Sequence, residues 1–381
     1  MIYLDNAAST RPLDEVVALM AEVMREDYGN PSSAHPLGAA ARRRIEAARA
    51  QLLAAIGDPD GAAGDLIWTS GGTESDALGL LGVARARPGG GVVVTALEHD
   101  AVLRSAEALG RAGHPVTIVP ATVHGTVAID RVVAAVDAST AVVALMRVQN
   151  ELGTLQPVAE IARAVHARAP GCHVHCDAVQ ALGKIAVDVG ELGVDSAAFA
   201  GHKLHGPKGV GALWLRRGAA IEPLWGGGGH QGGRRAGTQD APGAAGMGLA
   251  VERAVRDLPA AHARWRAFAH ILRAAAAATG VEHIEVPAGV ERAPHVLPIA
   301  FRGIPATALR NAMASRGVAV SSGSACAERD AKPSRVLEAV GLGADWGMLR
   351  VSFGHDTTEA DVASAAEILA SVVADLARRT S

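Results

Sequence analysis

The chain has 381 residues, 36 basic and 39 acidic side chains, a formal net charge of −3 at pH 7, and 49 % hydrophobic against 20 % charged residues. Such a balance excludes a disordered or fibrous chain and lacks the basic excess with which proteins meet nucleic acid directly. At roughly 150 residues per domain the length suggests two or three domains.

Aromatics are only 3 %, so the core must come from Ala, Val, Leu and Ile. The three cysteines, Cys172, Cys176 and Cys326, are too few for a disulfide framework and suit a reducing compartment. The start Met1-Ile2-Tyr3-Leu4-Asp5 does not resemble a signal peptide, and no apolar run approaches the ~20 residues that span a bilayer. A cytoplasmic protein without membrane contact is the expectation.

Short apolar, β-branched runs recur at 66–69, 92–95, 116–119, 142–145 and 174–176. Stretches of helical composition separate several of them, at 74–86, 100–112 and 158–169. Strands alternating with helices predict βαβ units and a mostly parallel, buried sheet, with ligands at the carboxyl ends of its strands. A glycine-rich stretch over 226–233 closes this α/β region. An Ala-rich helical stretch over 241–279 follows, with a break expected near Pro259. Strands at 296–301, 318–320 and 348–353 then mix with helices in a smaller α+β region. Thr358-Glu359-Ala360-Asp361 has capping-box spacing and opens the last helix. The first dozen residues could join either region.

Several motifs carry chemistry. In Ala200-Gly201-His202-Lys203-Leu204-His205-Gly206, a lysine just past an apolar run is placed to form an imine with an aldehyde; a surface lysine in a turn is the bland alternative. Asp177, at the end of a strand, could hold a ring nitrogen protonated, with Gln180 on the same side if a helix starts there; a capping Asp is the common alternative. Thr69-Ser70-Gly71-Gly72-Thr73-Glu74-Ser75 joins a strand to a helix and suits a single phosphate rather than a dinucleotide; a plain capping loop is an equal alternative. Glu98-His99-Asp100 and Asn150-Glu151 also follow strands. Ser321-Ser322-Gly323-Ser324-Ala325-Cys326 is a run of small residues ending in a cysteine that could react as thiolate; a plain loop cysteine is the alternative. Cys172-His173-Val174-His175-Cys176 offers four soft ligands, but an extended strand sends its histidines and its cysteines to opposite faces, so no metal site is expected.

In order and spacing these motifs resemble the cysteine desulfurases of the NifS/IscS type, within the class V aminotransferases of PLP fold type I. Further matching segments are Tyr3 to Thr10, Gly29-Asn30-Pro31-Ser32-Ser33, Arg235-Ala236-Gly237-Thr238 and Arg350-Val351-Ser352-Phe353-Gly354. The resemblance implies a large domain over 13–255 with a mostly parallel seven-stranded sheet. A small α+β domain, from 1–12 and 256–381, would carry the cysteine loop. It also implies a homodimer holding pyridoxal 5'-phosphate (PLP). Lys203 would bind PLP and move protons, Asp177 would pair with the ring nitrogen, and Gln180 would bond the phenolic oxygen. His99 would stack on the ring and act in proton transfer. Gly72, Thr73 and His202 would hold the phosphate, with Thr238 arriving from the partner subunit. Asn150 and Arg350 would clamp the carboxylate of L-cysteine. Cys326 would take the sulfur as a persulfide, leaving alanine, and pass it to an acceptor protein, a scaffold or sulfur carrier.

Two departures stand out. Ala200 occupies a position where the family often has a phosphate-binding serine, and Ala327-Glu328-Arg329-Asp330-Ala331-Lys332 is unusually charged for this loop. Iron–sulfur cluster assembly, tRNA thiolation, DNA phosphorothioation and natural-product synthesis are all open destinations for the sulfur. The competing expectation is another class V PLP enzyme, a selenocysteine lyase, cysteine β-lyase or aminotransferase, with Cys326 incidental.

Overall fold

The computed structural model describes residues 1–323 and 334–380; Cys326 and the charged residues 327–332 lie outside the described residues. Among the described residues the strands are β1 (Ile2–Tyr3), β2 (Gly64–Thr69), β3 (Gly91–Thr95), β4 (Val116–Val119), β5 (Thr140–Met146), β6 (His173–Asp177), β7 (Ser196–Ala200), β8 (Gly211–Arg216), β9 (His283–Glu285), β10 (Val296–Arg302), β11 (Val318–Ala319) and β12 (Trp346–Ser352). Seven of them form one sheet in the order β2-β8-β7-β6-β5-β3-β4. From β7 through β4 neighbours run parallel, while β8 is antiparallel to both β2 and β7. β5 and β6 are buried along their whole length, as helices on both faces require, which explains their unbroken apolar runs.

One core lies between this sheet and helices Asp14–Glu26, Pro36–Ala55, Val158–Arg168 and Ala241–Arg256, with Ile45, Leu52, Val143, Val174, Phe199 and Met247 in one cluster. A second core gathers Trp265, Phe268 and Leu272 from helix Leu258–Ala278 with Phe301, Leu349 and Phe353, and takes in Leu4 beside β1. There β12-β10-β9 form an antiparallel sheet, and β1 pairs in parallel with β11.

The Ala-rich stretch breaks at Asp257, two residues before Pro259. Proline lacks an N–H and is tolerated in a first helical turn, so the break falls ahead of it. Thr358 and Asp361 make the reciprocal capping bonds: Asp361 N donates to Thr358 Oγ1 at 3.1 Å and Thr358 N to Asp361 Oδ2 at 3.2 Å. The stretch read as one helix over 74–86 begins at Gly72 and passes through a wider π turn at Leu78–Gly82.

Candidate active site

A cavity of about 810 Å³ opens at the carboxyl ends of β5, β6 and β7. Asp177 ends β6, and Lys203 closes the single 3-10 turn Gly201–Lys203 that leaves β7. Lys203 Nζ donates to the carbonyls of Ala7 at 2.7 Å and Ala8 at 2.8 Å, so the N-terminal stretch forms part of the wall. Asp177 Oδ1 accepts from Val179 N at 2.9 Å; burial pushes its pKa up, opposed by His99, by that backbone bond and by Lys203.

His99 precedes helix Asp100–Arg111 and caps it: Nδ1 accepts from Ala101 N at 3.1 Å. Burial holds its pKa low, with Asp177 opposing. A neutral ring that accepts at Nδ1 carries its proton on Nε2. Beside it, Glu98 Oε1 accepts from Thr95 Oγ1 at 2.6 Å and Met146 N at 3.1 Å, and burial pushes its pKa to about 8. Asp76, also on the cavity wall, is pushed up by burial and by Asp177 and Glu98.

Gly72 and Thr73 line the cavity at the start of helix Gly72–Ala77, which has no side-chain cap, so its leading N–H groups are available to an anion. A Cβ on Gly72 would stand 2.9 Å from Val179 Cγ2 and 3.5 Å from Ala200 Cβ, so the loop runs close over the sheet, against the residue that replaces the family's serine. The loop is anchored from behind: Glu74 Oε2 accepts from Ser70 N at 2.6 Å, and Arg235 grips the same carboxylate at 2.8 and 3.2 Å. His202 also lines the cavity, its pKa pushed down to about 3 by burial and then by Lys203.

Gln180 sits in a turn rather than a helix and still faces the cavity; Nε2 donates to Ala7 O at 2.8 Å, and Oε1 accepts from Lys184 Nζ at 3.3 Å. On the far wall, Arg350 from β12 is 2 % exposed; Nη1 donates to Asn150 O at 3.0 Å and Nη2 to Asp5 Oδ1 at 2.8 Å. Thr238 is exposed and does not line this chain's own cavity.

Sequence reasoning gave no role to Asp76, Glu98 or the carbonyls of Ala7 and Ala8. Only Glu98 had a signal, its place in Glu98-His99. In the Cys172-to-Cys176 stretch, His173 Nε2 and His175 Nδ1 both meet Ser196 Oγ, at 2.7 and 2.8 Å, while the two cysteines pack into the first core on the opposite face. His175 Nε2 continues to Asp76 Oδ1 at 3.2 Å, and Gly79 in the π turn makes room for its ring.

These groups fit PLP: an amine for its aldehyde, a buried carboxyl at the floor for its ring nitrogen, and an uncapped helix start for its phosphate. Residues 2–364 match the family described as Aminotransferase class-V. The chain is 35 % identical to Cysteine desulfurase IscS 1 of Archaeoglobus fulgidus, over 98 % of this chain and 97 % of that one. A solved NifS-like protein superposes with a TM-score of 0.90 at 34 % identity, covering 98 % and 100 % of the two chains. SspA, solved in complex with cysteine, gives 0.79 at 28 % identity over 93 % and 99 %. The chain belongs to the PLP-dependent class V aminotransferase family, among its cysteine desulfurases.

Proposed function

We propose that this enzyme converts L-cysteine to L-alanine, with Cys326 taking the sulfur as a persulfide and handing it to an acceptor protein. The observation that carries the reading is Lys203 Nζ, fixed by two backbone carbonyls in a cavity floored by Asp177. When bound, PLP supplies an electron sink for charge developing at the substrate's α-carbon. Lys203 would hold the cofactor by its aldehyde, and its amine would move a proton at the substrate's α-carbon. Asp177 pairs with the ring N–H, and this charge partner offsets the burial that otherwise favours its neutral form. Gln180 turns its amide to the phenolic oxygen, while Gly72, Thr73 and His202 hold the phosphate.

His99 would lie against the ring, and with Nδ1 accepting from Ala101 N its Nε2 proton would be the one offered. Arg350 and Asn150 clamp the α-carboxylate, the guanidinium supplying its fork. The Cys326 thiolate attacks the substrate sulfur: an S–S bond forms, the C–S bond breaks, and its electron pair stays on the carbon, which is protonated to give alanine. The exposed position of Thr238 supports a homodimer in which it completes the partner's phosphate site. We place the domain division at 13–255 against 1–12 with 256–381, and the enzyme in the cytoplasm with a scaffold or sulfur-carrier acceptor. The test is turnover of L-cysteine with a thiol reductant: alanine and sulfide form in equal amounts. Sulfide with pyruvate would mean β-elimination and overturn the reading.

A further inference from the structure

The residues flanking 324–333 converge on one turn of the first core, Gln149-Asn150-Glu151-Leu152. Gln149 builds that turn: its Oε1 accepts from Glu151 N at 2.6 Å and Leu152 N at 2.8 Å, and its Nε2 donates to Leu97 O at 3.4 Å. The backbone of Glu151 is thereby fixed, and its side chain is 4 % exposed on the cavity wall.

On one flank Gly323 has φ +155°, and a Cβ there would lie 3.2 Å from Glu151 Oε2. On the other, the Ser334 hydroxyl lies against the same carboxyl while capping Val336 N at 3.2 Å. Ser321 pairs with Arg350 through both backbone bonds, at 3.2 and 2.7 Å, and Arg350 reaches back to Asn150 O. Arg335 ties the second flank to Asp100, beside His99, at 2.6 Å. Glu151 Oε2 accepts no hydrogen bond among the described residues, so a buried carboxyl with spare capacity stands where both flanks meet the substrate wall. Burial raises its pKa, opposed by Ser334, Arg350 and Arg335, with Asp100 adding to the rise.

We propose that Glu151 is a positioning residue for sulfur transfer: its carboxyl sets both flanks of 324–333 in register with the wall that carries Asn150 and Arg350. The proposal rests on the desulfurase reading above. A misplacement of about 1 Å far from the reacting atoms can cost on the order of 100-fold in rate, so loosening this junction acts on transfer and spares binding.

The test uses the PLP-loaded enzyme and Glu151→Ala, Glu151→Gln and Gly323→Ala. Glu151→Ala is expected to lower kcat for sulfide release by about tenfold. The cysteine concentration that half-saturates the change in visible absorption should stay within about twofold of the parent, and Glu151→Gln, of the same size and hydrogen-bonding reach, should restore at least about half of kcat. Should Glu151→Ala not fold, Gly323→Ala, pressing on Oε2 from the other side, gives the same kcat-selective loss. Parental kcat in the variants, an equal loss of cysteine binding, or Glu151→Gln as impaired as Glu151→Ala would overturn the proposal. Pyruvate from the unaltered enzyme would instead overturn the desulfurase reading, whatever the variants do.

Discussion

The floor of the cavity and the wall that faces it are built differently. Floor groups stand on or just past the ends of strands of one sheet: Asp177 on β6, Lys203 after its neighbour β7, and Glu98 and His99 after β3, which β5 separates from β6. Their spacing follows from strand separation and a single turn, and their burial is shared. The facing wall is assembled from two cores. Arg350 belongs to the second sheet, yet it is held by Asn150 from the first core and by Asp5 from the N-terminal stretch. The difference teaches that the groups proposed for ring chemistry rise from one sheet, with the Ala7 and Ala8 carbonyls closing over Lys203, whereas the proposed carboxylate clamp depends on how two cores meet.

That contrast can be broken or sharpened from either side. The largest effect is expected on the floor. Lys203→Ala should remove the visible band of covalently held PLP and lower turnover by about 1,000-fold or more; an unchanged spectrum would break the assignment. On the wall, Arg350→Lys should keep the visible band. Loss of one charge-assisted hydrogen bond, about 1.5–3 kcal/mol, should raise the half-saturating cysteine concentration roughly 10- to 100-fold. Loss of the band together with binding would mean that wall and floor are not separable.

Glu98 gives a pH test of the floor. Its folded pKa, about 8, lies above the ordinary carboxyl value of 4.5, so the folded state retains a proton the unfolded chain releases. That contribution to stability is complete below about pH 4.5 and is lost as pH rises through about 8. Glu98→Gln stays neutral, so its melting temperature relative to the parent should rise across that window and level off above it. A constant offset from pH 5 to 9 would show that Glu98 ionises normally. Smallest is Thr358→Ala, which breaks the capping box of the last helix and should cost about 1 kcal/mol in urea unfolding without changing cofactor absorption.

Much of the floor was legible because strand ends advertise themselves. A short apolar run followed by Asp177, or by Gly201-His202-Lys203, points to the carboxyl end of a strand, where both are found. The cap at Thr358 was legible for the same reason, since its bonds are local. Contacts between segments remote in sequence were not. Nothing in Ala7-Ala8 signals carbonyls that hold Lys203, 195 residues or more downstream. Asp76 gave no sign of meeting His175, and Asn150-Glu151 did not announce that its carboxylate would face Gly323 and Ser334. Gln180 was placed beside Asp177 on the condition that a helix starts there; it sits in a turn instead and still lines the cavity.

The proposed reaction makes Cys326 the sulfur acceptor on a cofactor site that does not need its thiol. The most direct measurement is a single turnover of PLP-loaded Cys326→Ser with L-cysteine, followed by visible absorption and by assays for alanine and sulfide. The expected result is a parental absorption change on cysteine binding, with neither alanine nor sulfide released. Alanine and sulfide formed at the parental rate would contradict it.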